Sequence, residues 1–201
     1  MSDDERLRVH AHTRALEGWI AVDDFVVSHR RFDGGWTRRL DRRIVRRGEA
    51  VVVLPYDPVR DAVVLIEQFR AGAIADPRSA WLNEAVAGLR DRAGSPEETG
   101  RRELMEEAGL EAGAMVQLWE GYASPGFADE YIYGFAARVD SRGVDGHHGL
   151  DEEDEDIRPF VLGFDEALDW WRRGRLLNVP LLTTLLALAV ERPALRERWA
   201  A

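Results

Sequence analysis

At 201 residues, 45% hydrophobic and 32% charged, the chain can bury a real core and reads as one globular domain with an N-terminal extension. Its formal net charge of −10 argues against generic nucleic-acid or acidic-membrane binding. The absence of cysteine excludes a disulfide framework and thiol chemistry, and apart from histidine every basic residue is arginine, a bias from which no function follows.

Residues 1–16 are polar and read as a frayed or loosely helical terminus. Met1-Ser2-Asp3-Asp4-Glu5 is acidic and lacks the apolar stretch of a signal peptide, so the cytoplasm is the expected compartment. β-formers then cluster in Trp19–Val22 and Phe25–Val27. Asp33-Gly34-Gly35 is a hairpin signal, and Trp36–Val45 is the returning strand. This predicts a small antiparallel sheet ahead of the main domain. Arg38, Arg39, Arg42, Arg43, Arg46 and Arg47 crowd its second strand and the end of that strand. Such charges protect a solvated edge, or one or two of them meet phosphate or a partner subunit.

Ala50–Tyr56 and Ala62–Phe69 are apolar strands joined by a turn at Asp57–Asp61, and Arg70 follows the second directly. Residues 71–80 read as a loop, and Trp81–Leu89 as one strand. The best-marked helix comes next. Ser95 is its N-cap, Pro96 suits the first helical position, Glu98 closes a capping box and Gly109 ends it. Glu103, Glu106 and Glu107 lie at i, i+3 and i+4, so they project from one side. Carboxylates so clustered repel one another. Solvent and partners such as Arg101 and Arg102 can screen them, or a hard cation such as Mg²⁺ can use them together with substrate phosphates.

Met115–Tyr122 and Glu130–Val139 are further strands, separated by Ala123–Asp129. Arg142–Asp156 is a loop that carries six consecutive acids, Asp151–Asp156. A run like this is commonly a solvated, self-repelling segment. In a hydrolase, a carboxylate on such a loop would serve as the base for water, or as an outer ligand to a second metal. Ile157–Leu162 is a short strand, Phe164–Arg173 an amphipathic helix capped by Gly174, and Asn178-Val179-Pro180 introduces a last helix through Val190. That final apolar run is too short to cross a bilayer. The pattern implies an α+β or α/β/α layered domain.

One stretch carries more than secondary structure. Arg102-Glu103-Leu104-x-Glu106-Glu107-x-Gly109-Leu110, with Gly88 fourteen residues before Arg102, resembles the Nudix box of Nudix hydrolases. Gly94 stands where that box normally has a glutamate, which puts the loop–helix support in question more than the metal site. Beyond the box, residues 54–70, 81–89, 123–126 with Glu130, and 149–158 resemble the ADP-ribose pyrophosphatase branch. The resemblance implies an α+β Nudix fold, an α/β/α sandwich with a mixed sheet, over 48–201. It implies a small antiparallel dimerisation sheet over 1–47.

It further implies hydrolysis of ADP-ribose to AMP and ribose 5-phosphate with two or three Mg²⁺ or Mn²⁺ ions. The Ala87 carbonyl, Glu103 and Glu107 would hold metal, with Glu106 in support. Glu155 would be the base, with Glu153 as its understudy. Arg70, Glu84 and Glu130 would meet the substrate. Trp19 would stack on adenine, and Arg42 and Ser124 would reach it too, from the other copy of a homodimer with exchanged N-terminal sheets. No nucleic acid and no membrane partner is expected. Two competing readings stay open: a pyrophosphatase for other nucleoside diphosphate sugars, and a non-catalytic ADP-ribose-binding module.

Overall fold

The structure is a computed structural model that describes residues 4–90, 94–150 and 154–199. Its chain order is β1 (Leu7–Leu16), β2 (Ala21–His29), β3 (Leu40–Arg46), β4 (Glu49–Asp57), β5 (Ala62–Phe69), β6 (Trp81–Glu84), β7 (Val86–Leu89), α1 (Pro96–Ala108), β8 (Met115–Tyr122), β9 (Tyr131–Arg138), β10 (Arg158–Gly163), α2 (Phe164–Arg172) and α3 (Val179–Trp199). The chain divides into two compact units. One is Met1–Gly48 with Tyr122–Tyr131, and the other is Glu49–Gly121 with Ile132–Ala201.

The larger unit is built on a mixed sheet in the order β10-β5-β4-β9-β8, with β6 paired to β5 and β7 to β4. Its central strands bury both faces, so their sequences are almost wholly apolar. Val52, Leu54, Tyr56, Val63 and Leu65 face Phe164 and Ala167 of α2 and Leu181, Leu185 and Leu188 of α3. The alternate residues Val51, Val53, Val64 and Ile66 pack with Leu104 and Ala108 of α1. One helix therefore covers one face and two cover the other, the α/β/α sandwich that the sequence leads one to expect.

The expected strand over 81–89 is two strands broken at Ala85. Glu84 pairs with Ile66 of β5, whereas Val86 pairs with Val53 of β4. The chain changes partner there, a tertiary event that alternation does not signal. The last helix also exceeds its expected end at Val190 and runs through Pro193 to Trp199. A mid-helix proline loses a hydrogen bond. Here the burial of Leu195 and Trp199 offsets that loss, and Arg192 and Arg196 both bond Asp61 in the β4–β5 turn.

The smaller unit contains the three-stranded antiparallel sheet β1-β2-β3. The hairpin forms where Asp33-Gly34-Gly35 predicts it, with Arg31 N–H donating to the Gly35 carbonyl at 2.8 Å. Residues 7–16 correct the expectation of a frayed or helical terminus, because they form β1. Leu7, Val9 and Ala11 alternate with Arg8, His10 and His12, a period-two pattern obscured by its polar content. The strand pairs with β2 through register shifts between Val9 and Ala11 and between Arg14 and Leu16. Asp23 is buried in this sheet and accepts from His12 at 3.0 Å and from Arg14.

Candidate active site

The site begins with α1. Ser95 Oγ accepts from Glu98 N–H at 3.2 Å, and Glu98 Oε2 accepts from Ser95 N–H at 2.7 Å, so the capping box is closed. Gly109 ends the helix in the left-handed conformation at φ 62°. The helix lies against β4 and β7, and this decides the environment of its glutamates. Glu103 and Glu107 are buried and Glu106 is half-buried. The exposed carboxylate face that a Glu-rich helix suggests is thus corrected, since two of its three acids point into the protein.

Gly88 explains how they fit. A Cβ there would lie 1.9 Å from Glu103 Oε1, so only glycine leaves room for that carboxylate. Glu107 Oε2 accepts from the Ala87 N–H at 2.9 Å. Burial pushes the Glu107 carboxyl up to about 8 despite that hydrogen bond, and the charges of Glu103 and Glu155 add to the effect. Burial raises the Glu103 carboxyl as well, against the opposing pull of Arg102.

Two arginines face this acidic ground. Arg102 donates to Glu103 Oε1 at 2.7 Å and to Glu106 Oε2 at 2.6 Å. Arg70 donates through Nη2 to Glu84 Oε2 at 2.7 Å and through Nε to Oε1 at 3.1 Å. Burial works to lower the Arg70 pKa. The carboxylates of Glu84, Glu107 and Glu155 outweigh it and hold the guanidinium above its ordinary value. Arg70 and Glu84, expected as separate substrate contacts, are therefore partners of each other, and Glu84 is buried.

Glu155 reaches this field from the loop before β10. The Glu155 N–H donates to the Leu150 carbonyl at 3.3 Å, and the Gly149 N–H donates to the Glu106 carbonyl at 3.1 Å. That second bond ties the loop to α1. Gly149 has φ 103°, and a Cβ there would come within 2.7 Å of Glu155 Cβ, so glycine is required twice over. Glu153 lies outside the described residues.

Arg70, Glu84, Ala87, Glu103, Glu106, Glu107 and Glu155 thus all belong to the larger unit. Trp19, Arg42, Ser124 and Glu130 belong to the smaller one. There Trp19 is 85% exposed, with the Arg47 guanidinium 5.5 Å from its ring centroid. Arg42 is exposed and donates to its neighbour's carbonyl, Asp41 O, at 2.8 Å. The Ser124 carbonyl accepts from Phe127 and Ala128 in a turn. Glu130 lies 3.6 Å from Arg47.

Among the described residues, no three Asp, Glu or His side chains already converge as a ligand cluster. The donor set nevertheless fits a hard divalent cation. It consists of carboxylate oxygens crowded by burial and like charge, and such a cation would relieve that crowding. The sequence offers Arg102 both as a partner able to screen the glutamates and as the first residue of the box, and gives Arg90 no part. Arg102 carried a signal in its place beside Glu103, and Arg90 carried none.

The fold is an α/β/α sandwich that sets buried glutamates of a capped helix beside a strand backbone. The chain belongs to the NUDIX family, since the NUDIX domain model matches residues 46–178. It is 37% identical over 194 residues to the ADP-ribose pyrophosphatase of Escherichia coli (strain K12), covering 96% of this chain and 93% of that one. It is 35% identical over 186 residues to the ADP-ribose pyrophosphatase of Haemophilus influenzae, covering 91% and 86%. A GDP-mannose pyrophosphatase of Pectobacterium atrosepticum is 36% identical over 159 residues, covering 79% and 81%. The crystal structure of an ADP compounds hydrolase shares the fold, with a TM-score of 0.70 and 18% identity over 96% of each chain.

Proposed function

We propose that this protein hydrolyses the diphosphate of ADP-ribose to AMP and ribose 5-phosphate. The observation that carries the reading is the pair of buried glutamates, Glu103 and Glu107, beside the Ala87 backbone and within the electrostatic reach of Arg70 and Glu155. The similarity of nearly the whole chain to two ADP-ribose pyrophosphatases supports the choice of substrate.

Glu103, Glu107 and the Ala87 carbonyl would hold two or three Mg²⁺ or Mn²⁺ ions, with Glu106 in support. When bound, these supply positive charge to the diphosphate and to the attacking water. Glu103 gives up its bond to Arg102 in the process, and Arg102 keeps Glu106. Glu155, or Glu153, takes the proton of the water. The water oxygen forms its bond to one phosphorus in line, and the anhydride bond to the other phosphate breaks. Arg70 holds the diphosphate, and Glu84 orients Arg70. Little covalent work falls to the protein, so positioning and charge dominate.

The smaller unit binds the nucleoside. Two copies exchange their N-terminal sheets, and Trp19 stacks on adenine while Arg42, Ser124 and Glu130 meet polar groups. The exposure of Trp19 and Arg42 supports this reading, since both are accessible to a ligand or a second copy.

Turnover with Mg²⁺ on ADP-ribose, GDP-mannose and UDP-glucose tests the reading. Clear preference for ADP-ribose is the expected result. Preference for GDP-mannose keeps the chemistry and moves the substrate, a reading favoured by the GDP-mannose pyrophosphatase relative. Tight ADP-ribose binding without turnover on any of them overturns catalysis in favour of a binding module.

A further inference from the structure

Gly94 stands where the box carries a glutamate, and the structure ties that place together by another side chain. Arg90 directly follows β7. Its Nε donates to the Gly94 carbonyl at 3.1 Å and its Nη2 donates to the same oxygen at 2.9 Å. Its Nη1 pairs with Glu49 at the start of β4, and its backbone N–H donates to the Glu49 carbonyl at 2.9 Å. Glu49 is held in turn by the Tyr133 hydroxyl at 3.3 Å. The Arg90 side chain is only 22% exposed, so these charge-assisted bonds are partly shielded from water.

An acidic side chain here would start in contact with the helix cap. A Cβ on Gly94 would lie 3.4 Å from Glu98 Oε2, the oxygen already committed to the capping box. A glutamate at 94 would set a second carboxylate beside it.

We propose that Arg90, anchored by Glu49, is a positioning residue that takes the place of the absent box glutamate. It fixes the junction between β7, which carries Ala87 and Gly88, and α1, which carries Glu103 and Glu107. The two elements are already joined where Glu107 accepts the Ala87 N–H. The tie to Gly94 is a second attachment, one residue before the Ser95 N-cap. The packing of Leu104 and Ala108 on the sheet already seats the middle and end of α1, and the Arg90 tie adds a fixed point at its N-terminal end. The spacing of the metal-holding oxygens depends on how α1 sits against β7, so this inference rests on the metal reading proposed above.

The test is Mn²⁺ binding to metal-stripped protein without substrate, by electron paramagnetic resonance or calorimetry, followed by turnover on ADP-ribose. Arg90→Ala is expected to weaken Mn²⁺ binding by ~10-fold, the range seen for residues that orient metal ligands. The metal concentration for half-maximal turnover should rise in step, while KM at saturating metal stays within about twofold. Arg90→Lys keeps the charge toward Glu49 but loses the paired donors to Gly94, and should fall between. A purely structural role would lower the melting temperature of Arg90→Ala and leave the Mn²⁺ affinity of its folded fraction unchanged, and that result overturns the proposal. If Arg90→Ala does not fold, Arg90→Lys and Glu49→Gln decide by the same readout. Wild-type protein that binds Mn²⁺ but cleaves no nucleotide sugar defeats the proposed function while the Mn²⁺ comparison still decides on Arg90. Wild-type protein that binds no Mn²⁺ overturns both.

Discussion

β4 and β5 in one unit and β1 and β2 in the other show two uses of strand-forming sequence. In β4 and β5 both faces are sealed, one by α1 and the other by α2 and α3, and Val51, Val53, Leu54 and Leu65 are wholly buried. All ten residues of β1 are exposed, and its apolar positions alternate with arginine and histidine. The sheet that contains it leans on charge. Asp23 is buried among Arg14 and His12, and Arg43 makes two 2.8 Å bonds to Asp24. An apolar run makes the strand in one place and alternation makes it in the other, and what lies against the faces decides whether the strand carries stability or a surface. The sealed region can therefore hold buried carboxylates at fixed positions. The open region leaves aromatic and basic groups such as Trp19 and Arg42 at the surface.

The largest effect should come from the sealed region's acids. Glu107→Gln is expected to lower kcat by more than ~100-fold, since replacing a group that orients a metal ligand already costs 10–100-fold. The fold should survive, because burial already favours the neutral form of this side chain. Steady-state kinetics with a melting curve checks both, and unchanged turnover would remove Glu107 from the machinery.

Next come the strands themselves. Leu65→Ala should cost about 2–5 kcal/mol in chemical denaturation, the usual range for a fully buried leucine. Val9→Ala in β1 should cost less than about 1 kcal/mol in dilute protein. Equal costs would dissolve the contrast between the two regions.

A smaller effect is expected on the open sheet. Trp19→Ala should raise KM for ADP-ribose by ~10-fold, within the range of one lost base-stacking contact, and leave the melting temperature unchanged. Dilution in size-exclusion chromatography sharpens this. A well-behaved monomer at working concentration would count against Trp19 and Arg42 acting in another copy's site.

The smallest effect is confined to acid. Burial works to raise the Asp61 carboxyl, but the bonds from Arg192 and Tyr56 and the charge of Arg196 outweigh it and hold its pKa below the ordinary value. A carboxylate depressed in the folded state adds stability above its unfolded pKa, and that contribution is lost as pH falls through the folded value. Melting temperature should therefore drop below about pH 4, the ordinary carboxylate range, more steeply in the wild type than in Asp61→Asn. Parallel curves would mean that Asp61 does not anchor α3.

The local chemistry of α1 was fully legible, because its signals are side chains acting on their own helix end: Ser95, Pro96, Glu98 and Gly109. Strands rich in apolar and β-branched or aromatic residues were legible from local composition, down to the bounds of β5 and β8. What escaped depended on distant partners. β1 looked too polar to be a strand until β2 lay beside it. The break at Ala85 arises because the chain passes from β5 to β4. The extension of α3 past Pro193 draws on Leu195, Trp199 and Asp61, none of them local to the proline.

The site divides along the same line. Sequence by itself determined that Glu103, Glu106 and Glu107 share one side of a helix, because a fixed 3.6-residue period leaves no other arrangement, and that Gly109 ends it, because a left-handed cap favours glycine. Only tertiary structure decided that Glu103 and Glu107 are buried, that Arg70 is held by Glu84, and that Arg90 ties the Gly94 carbonyl. Burial and pairing belong to surfaces brought together from remote parts of the chain, and no period along the sequence records them.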